Sequence, residues 1–281
     1  MTNLIDIGAN LMNPAFDGDR ETVLERAAAA GVRTIIVTGS SIASSGEAIA
    51  FARSRSGCRA TAGVHPHNAK EWDAAMLARL QELSLSDGAI EAVAAIGECG
   101  LDYNRNFSPP DAQRLCFEDQ LALAARLGKP VFLHNRDASD DFFRILKQYR
   151  SELPGAVVHC FTGGESELEA CLALDCYIGI TGWVCDERRG GHLLPLLPKI
   201  PADRLLLETD APYLLPRSLP RAQRGKSGRN EPCFLPHIAA FAAAALGKTP
   251  DQLAEETSAN AVRLFGISPA LVHHPEISYN S

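Results

Sequence analysis

Residues 130–136 read PVFLHNR: a proline, three apolar residues, then His134, Asn135 and Arg136 with no transition between the two halves. A strand with one wet face alternates apolar and polar residues. Val131, Phe132 and Leu133 are apolar in succession, which marks a strand buried on both faces, as in a parallel sheet. Upstream, PPDAQRLCFEDQLALAARLGKP opens on Pro109 and Pro110 and reaches a glycine stop at Gly128, the punctuation of a long helix. Downstream, ASDDFFRILKQY is a second helical pattern, followed by another apolar run, AVVHCFTG from Ala156. The same alternation extends in both directions. Before PVFLHNR lie LIDIGAN from Leu4, RTIIVTG from Arg33, CRATAGVHPH from Cys58 and AVAAIGECG from Ala92. After AVVHCFTG lie YIGITGW from Tyr177 and RLLLETDAP from Arg204. Eight strand-then-helix units predict an α/β protein of the (β/α)8 TIM-barrel class. An open doubly wound sheet is the alternative, but no G-x-G-x-x-G follows the first strand, so a dinucleotide site has no support.

The length of 281 residues suits one such barrel, which typically needs ~250. With no internal repeat, low-complexity tract or linker, residues 1–281 are read as a single domain. A hydrophobic share of 46% provides a large core, and a net charge of −7 argues against a surface coated all over with nucleic acid. Eight cysteines without a C-x-x-C pair read as reduced, mostly buried thiols. No signal-peptide pattern is visible at the start, and no apolar stretch reaches the ~20 residues that span a bilayer. The expectation is a cytoplasmic monomer with no membrane partner.

In this fold the C-terminal ends of the strands build the active site. Four of the eight histidines stand at such ends: His65 and His67 after the third run, His134 after the fifth and His159 after the sixth. The fourth run ends in Glu98-Cys99-Gly100-Leu101-Asp102 and the eighth in Glu208-Thr209-Asp210. Imidazoles and carboxylates gathered in one cavity are unfavourable unless they share a proton or a cation, and a divalent metal is the simplest compensation. Asp210 is placed either to bind that metal or to act as general base on water. The loop after the eighth run carries Arg217, Arg221, Arg224, Lys226 and Arg229 against one acid, Glu231. A cationic lip over a metal suits a polyanion. Arg136, beside His134, is placed to reach a phosphate, and Trp183 and Tyr213 either stack on bases or pack. Asp186, Arg188 and Arg189 read as capping and solvating the seventh loop. His273 and His274, in the terminal tail, are given no metal role.

The segments AGVHPH, IGECGLDYNR, PVFLHNRD, HCFTGG, YIGITGWVCDERRG, LLLETDAPYLLPR and GRNEP occur in an order and spacing that resembles the TatD-type metal-dependent deoxyribonucleases. The resemblance runs from the first strand to ANAVRLFG. It implies a TIM-barrel hydrolase that removes nucleotides 3′→5′ from single-stranded DNA or RNA, usually with Mg2+, and a place in DNA repair. Mn2+ and Zn2+ are the alternatives that a Glu-His-His donor set admits. By matching motifs the resemblance implies metal ligation by Glu98, His134 and His159, with Asp210 as further ligand, and Glu98 and Asp210 as the catalytic pair. His65 is a site residue of the HPH segment, and substrate contact is expected from His65, Arg136, Arg224 and Arg229. Most relatives carry His-x-His at the end of the first strand, where this chain has Gly8-Ala9-Asn10. That departure predicts one strong cation position rather than two. Other readings stay open: a barrel amidohydrolase or esterase, including a deacylase of charged tRNA, and a non-catalytic binding protein.

Overall fold

The computed structural model describes residues 3–224 and 228–268. Lys226, His273 and His274 lie outside the described residues. Eight parallel strands run in sequence order: β1 (Leu4–Ala9), β2 (Val32–Val37), β3 (Cys58–Ala62), β4 (Val93–Asp102), β5 (Val131–Arg136), β6 (Ala156–Val158), β7 (Tyr177–Ile180) and β8 (Leu205–Leu207). The ring closes just beyond β8. Ala9 bridges Ala211 in parallel, the Asn10 amide donates to the Ala211 carbonyl at 2.7 Å, and the Asp210 amide donates to the Gly8 carbonyl at 2.8 Å.

The helices are α1 (Arg20–Ala29), α2 (Ile42–Arg53), α3 (Ala74–Leu85), α4 (Ala89–Ala92), α5 (Pro110–Leu127), α6 (Ser139–Tyr149), α7 (Glu165–Ala173), α8 (Leu235–Ala245) and α9 (Pro250–Phe265). Their ends follow the sequence punctuation. α5 starts on Pro110 and stops on Gly128 in the left-handed conformation, and α9 starts with a Thr249–Gln252 capping box. One unit departs from the expected plan. Between β7 and β8 the described chain forms only short 3-10 turns, at Gly182–Cys185, Gly191–Leu193 and Leu197–Lys199. Gly182, Gly190, Gly191, Pro195 and Pro198 interrupt any longer helical register there.

The period of two along each strand divides the core. Ile5, Ile7, Ile36, Phe132, Val157, Tyr177 and Leu206 pack together with Ala261, Leu264 and Phe265 of α9, while Val131 and Leu133 belong to the layer under the outer helices. α9 stoppers the end where the strands begin, because Asn260 Nδ2 donates to the Leu205 carbonyl at 2.9 Å and Ser258 Oγ to the Asn3 carbonyl at 2.8 Å. The polar strand ends therefore gather at the opposite mouth. The parity that aims Phe132 inward also aims His134 inward. Among the described residues no helix is long and apolar enough to cross a membrane.

Candidate active site

Glu98 sits near the C-terminal end of β4, 6% exposed, between Gly97 and Cys99. Gly97 holds φ at +136°, and a Cβ there would stand 2.2 Å from the Phe132 carbonyl oxygen. Only glycine lets β4 press so closely on β5, and this contact carries Glu98 into the mouth. Its Oε1 is ringed by three imidazole nitrogens: His65 Nε2 at 3.2 Å, His134 Nδ1 at 3.0 Å and His159 Nε2 at 2.8 Å. One oxygen cannot accept three good hydrogen bonds, and the rings are too buried to share water freely. A cation among these nitrogens and the carboxylate would relieve the crowding. The ligating atoms of His65, Glu98 and His134 all lie within 4.8 Å of one another, the separation a single ion bridges. In addition, His134 Nε2 is buried without a hydrogen-bond partner, 3.6 Å from Asp102 Oδ2. The donor set fits a divalent ion.

The charges respond to this crowding. Burial alone would raise the Glu98 carboxyl, but the imidazoles of His65 and His159 hold it well below the usual carboxylate range. Burial lowers His65 to about 4, so that ring is neutral at pH 7. His159 and His134 go the other way: burial opposes their charge, but the Glu98 and Glu208 carboxylates raise the first, and Asp102 and Glu98 the second. Behind the cluster, His67 Nε2 pairs with Asp102 Oδ2 at 2.7 Å.

The opposite wall comes from β1 and the segment after β8. Asn10 Nδ2 donates to Asp210 Oδ1 at 3.0 Å, and burial pushes the Asp210 carboxyl up to about 7. Asp6, fully buried, accepts from Thr209 N at 2.9 Å and Thr209 Oγ1 at 2.5 Å. Glu208, equally buried, accepts from the Cys160 amide at 2.5 Å and lies 3.4 Å from His159 Nδ1. Its carboxylate fills the room that two glycines leave. A Cβ on Gly8 would approach Glu208 Oε2 to 2.4 Å, and one on Gly179 would approach Oε1 to 2.5 Å.

The structure brings His65, Glu98, His134 and His159 together, with Asp210 across the mouth. The ligand atoms of His65, read from the sequence as a substrate contact, also stand close enough to those of Glu98 and His134 to share an ion. Two of the expected substrate contacts, Arg229 and Arg224, have partners within the chain. Arg229, with a 14% exposed side chain, donates to both oxygens of Asp19 at 2.8 Å and to Glu231 at 2.7 Å, and its guanidinium lies 4.6 Å from the Phe16 ring centroid. Arg224 donates to the Leu219 carbonyl at 2.8 Å and to the Arg217 carbonyl, bracing its own loop. Arg136 ends β5, exposed at the rim. Sequence reasoning gave Asp6 and Glu208 no role. The available signal was a lone acid inside an apolar strand for Asp6, and an acid one residue past Leu205–Leu207 for Glu208.

A family model described as TatD related DNase matches residues 5–266, nearly all of the barrel just described. The chain belongs to the TatD family. It is 55% identical over 269 residues to a "3'-5' ssDNA/RNA exonuclease TatD" of Cronobacter sakazakii, covering 95% of this chain and 100% of that protein. Among solved structures, a TatD homologue from Escherichia coli K12 superposes with a TM-score of 0.83 at 30% identity, covering 94% of this chain and 98% of that one. A TatD-family hydrolase from Entamoeba histolytica superposes with a TM-score of 0.85 at 27% identity, covering 95% and 100%. The TatD barrel is thus shared over its whole length.

Proposed function

We propose that this TatD-family chain is a metal-dependent nuclease that hydrolyses phosphodiester bonds of single-stranded DNA and RNA from the 3′ end. The observation that carries the reading is Glu98 Oε1 ringed by three imidazoles at the barrel mouth. Specificity for single strands and 3′ ends follows the relatives, which share more than half of its residues. His65, Glu98 and His134 would hold the ion, and His159 steadies Glu98 from the other side. Mg2+, the proposed ion, supplies charge neutralisation on the phosphoryl oxygens when bound. Asn10 fixes Asp210 Oδ1, leaving the second carboxylate oxygen to accept a proton from the attacking water. A place in DNA repair, where strand ends are trimmed, belongs to the same proposal.

The test uses end-labelled single-stranded and duplex oligonucleotides with Mg2+, Mn2+ or Zn2+, beside an aminoacyl-tRNA. Mononucleotides should appear from the 3′ end of the single strand and stop on addition of EDTA. Release of the amino acid from tRNA with intact oligonucleotides would replace this reading by the deacylase one.

A further inference from the structure

Next to the Glu98 cluster lies a cavity of about 220 Å3, whose walls include Asn135, Arg136, Phe161, Trp183, Arg189 and His192. Its walls are chain neighbours of the cluster: Asn135 and Arg136 directly follow His134, Val158 directly precedes His159 and Phe161 stands two residues after it. The volume falls below the ~300–1,000 Å3 of a pocket for a whole small molecule. It suits a piece of a larger ligand, such as one base with part of its sugar. The walls supply a stacking plane: the Arg189 guanidinium lies 4.4 Å from the Trp183 ring centroid. Trp183 is held there by Nε1 donating to the Arg189 carbonyl at 3.4 Å and by the Thr181 hydroxyl accepting from its amide at 3.2 Å.

The charge around the cavity is arranged rather than scattered. Asp186 is 2% exposed and gathers three outward arginines: Arg189 at 2.9 Å, Arg217 at 3.6 Å and Arg188 at 3.7 Å. More than half of each of those three side chains stays exposed, 56%, 52% and 64% in that order. One buried acid thus gathers three cations, of which Arg189 lines the cavity together with Arg136. The two acids of the cavity wall are occupied. Asp137 accepts from Asn104 Nδ2 at 2.6 Å, and Glu167 accepts from the Gly164 amide at 2.9 Å and from Ser139 Oγ.

We propose that this cavity seats one unpaired base of the substrate strand next to the bond being cut, stacked on the Trp183–Arg189 plane, with the adjoining phosphates held by Arg136 and the Asp186-gathered arginines. The proposal rests on the nuclease reading and deepens it. A base seated there has left its pairing partner, so the cavity itself selects single strands. Duplex DNA must unpair its end to enter, which sets it at a disadvantage at every concentration.

The test reads binding in EDTA, so nothing is cut. The chain has two tryptophans; Trp72 is 8% exposed, its Nε1 donates to Asp119 at 2.8 Å, and it does not line the cavity. In a Trp72→Phe background, a single-stranded oligonucleotide should quench the remaining tryptophan. An abasic site moved along the oligonucleotide should abolish the quench at one position near the 3′ end and at no other. Trp183→Ala should weaken binding about 5- to 140-fold, the range for one lost base stack, with Trp183→Phe restoring most of it. Arg136→Gln and Arg189→Gln should each flatten the salt dependence of log Kd by about 0.7. If the enzyme cuts single strands but the quench is absent and the abasic scan is flat, the cavity proposal fails and the nuclease reading stands. If the enzyme neither binds nor cuts nucleic acid, both fall.

Discussion

The two walls of the barrel mouth carry similar residue types and resolve them in opposite ways. On the wall of β3 to β6, three imidazoles crowd one carboxylate oxygen and His134 Nε2 is left buried without a partner. On the wall of β1 and β8, every acid has found a donor: Asp6 takes Thr209, Glu208 takes Cys160 and Asp210 takes Asn10. Donor atoms that the protein itself satisfies have no need of an ion, and those it crowds together do. The difference teaches that ligand-type residues at a strand end are only half of a metal site. The other half is whether their neighbours leave them wanting a cation.

The sharpest way to break this comparison is to remove its centre. Glu98→Ala should lower turnover on a labelled single strand by on the order of 10^3-fold or more, the scale of losing a preorganised catalytic charge. Its far-ultraviolet circular dichroism should stay unchanged. Retained turnover at saturating metal would show that the imidazoles alone suffice. The next test exchanges the character of the walls. Gly8→His would give β1 an imidazole, but the first atom added meets Glu208 Oε2 at 2.4 Å and Phe132 Cζ at 3.0 Å. Stability measured by urea unfolding should fall by roughly 3 kcal/mol or more, the upper range of overpacking. Pairing it with Glu208→Ala should recover part of that loss, a coupling that a double-mutant cycle reads directly. Independent effects would mean that Glu208 does not occupy the room Gly8 leaves.

The smallest expected effect lies in pH. Burial raises the Asp6 carboxyl to about 7 from an unfolded value of 3.8. Below pH 4 both states hold the proton and Asp6 contributes no pH dependence. As pH rises from about 4 to about 7 only the unfolded state releases it, so stability falls across that window. Asp6→Asn keeps an acceptor for the Thr209 and Gly8 amides and cannot ionise. Its stability should therefore drop less than the wild type's between pH 5 and pH 7, by roughly 2 kcal/mol. Parallel stability curves would show that Asp6 is already ionised in the fold.

Much of this was readable in the chain. PVFLHNR, AVVHCFTG and AVAAIGECG carry their buried strands in consecutive apolar residues, and each ends on the residue that faces the mouth. Because a barrel converges all eight strand ends, the sequence was enough to name Glu98, His134, His159 and Asp210 as neighbours. The chain also announced the stop of α5 with Gly128. Local chemistry determines these features, so they need no partner to be legible.

Partnership across the chain was not legible. Arg229 looked like part of a cationic lip, and only folding set it against Asp19, 210 positions away, and the Phe16 ring. Asp186, Arg188 and Arg189 looked like loop solvation, and only folding turned Asp186 toward Arg217 and laid Arg189 on Trp183. Gly8-Ala9-Asn10 looked like an absence, and the fold shows that the room beside Gly8 belongs to Glu208. By itself the sequence determined the barrel, its mouth and the residues that line one wall, because period and punctuation are local. Tertiary structure decided which charges were spent and which were left to bind. A charge's availability depends on what packs against it, and that neighbour can lie anywhere along the chain.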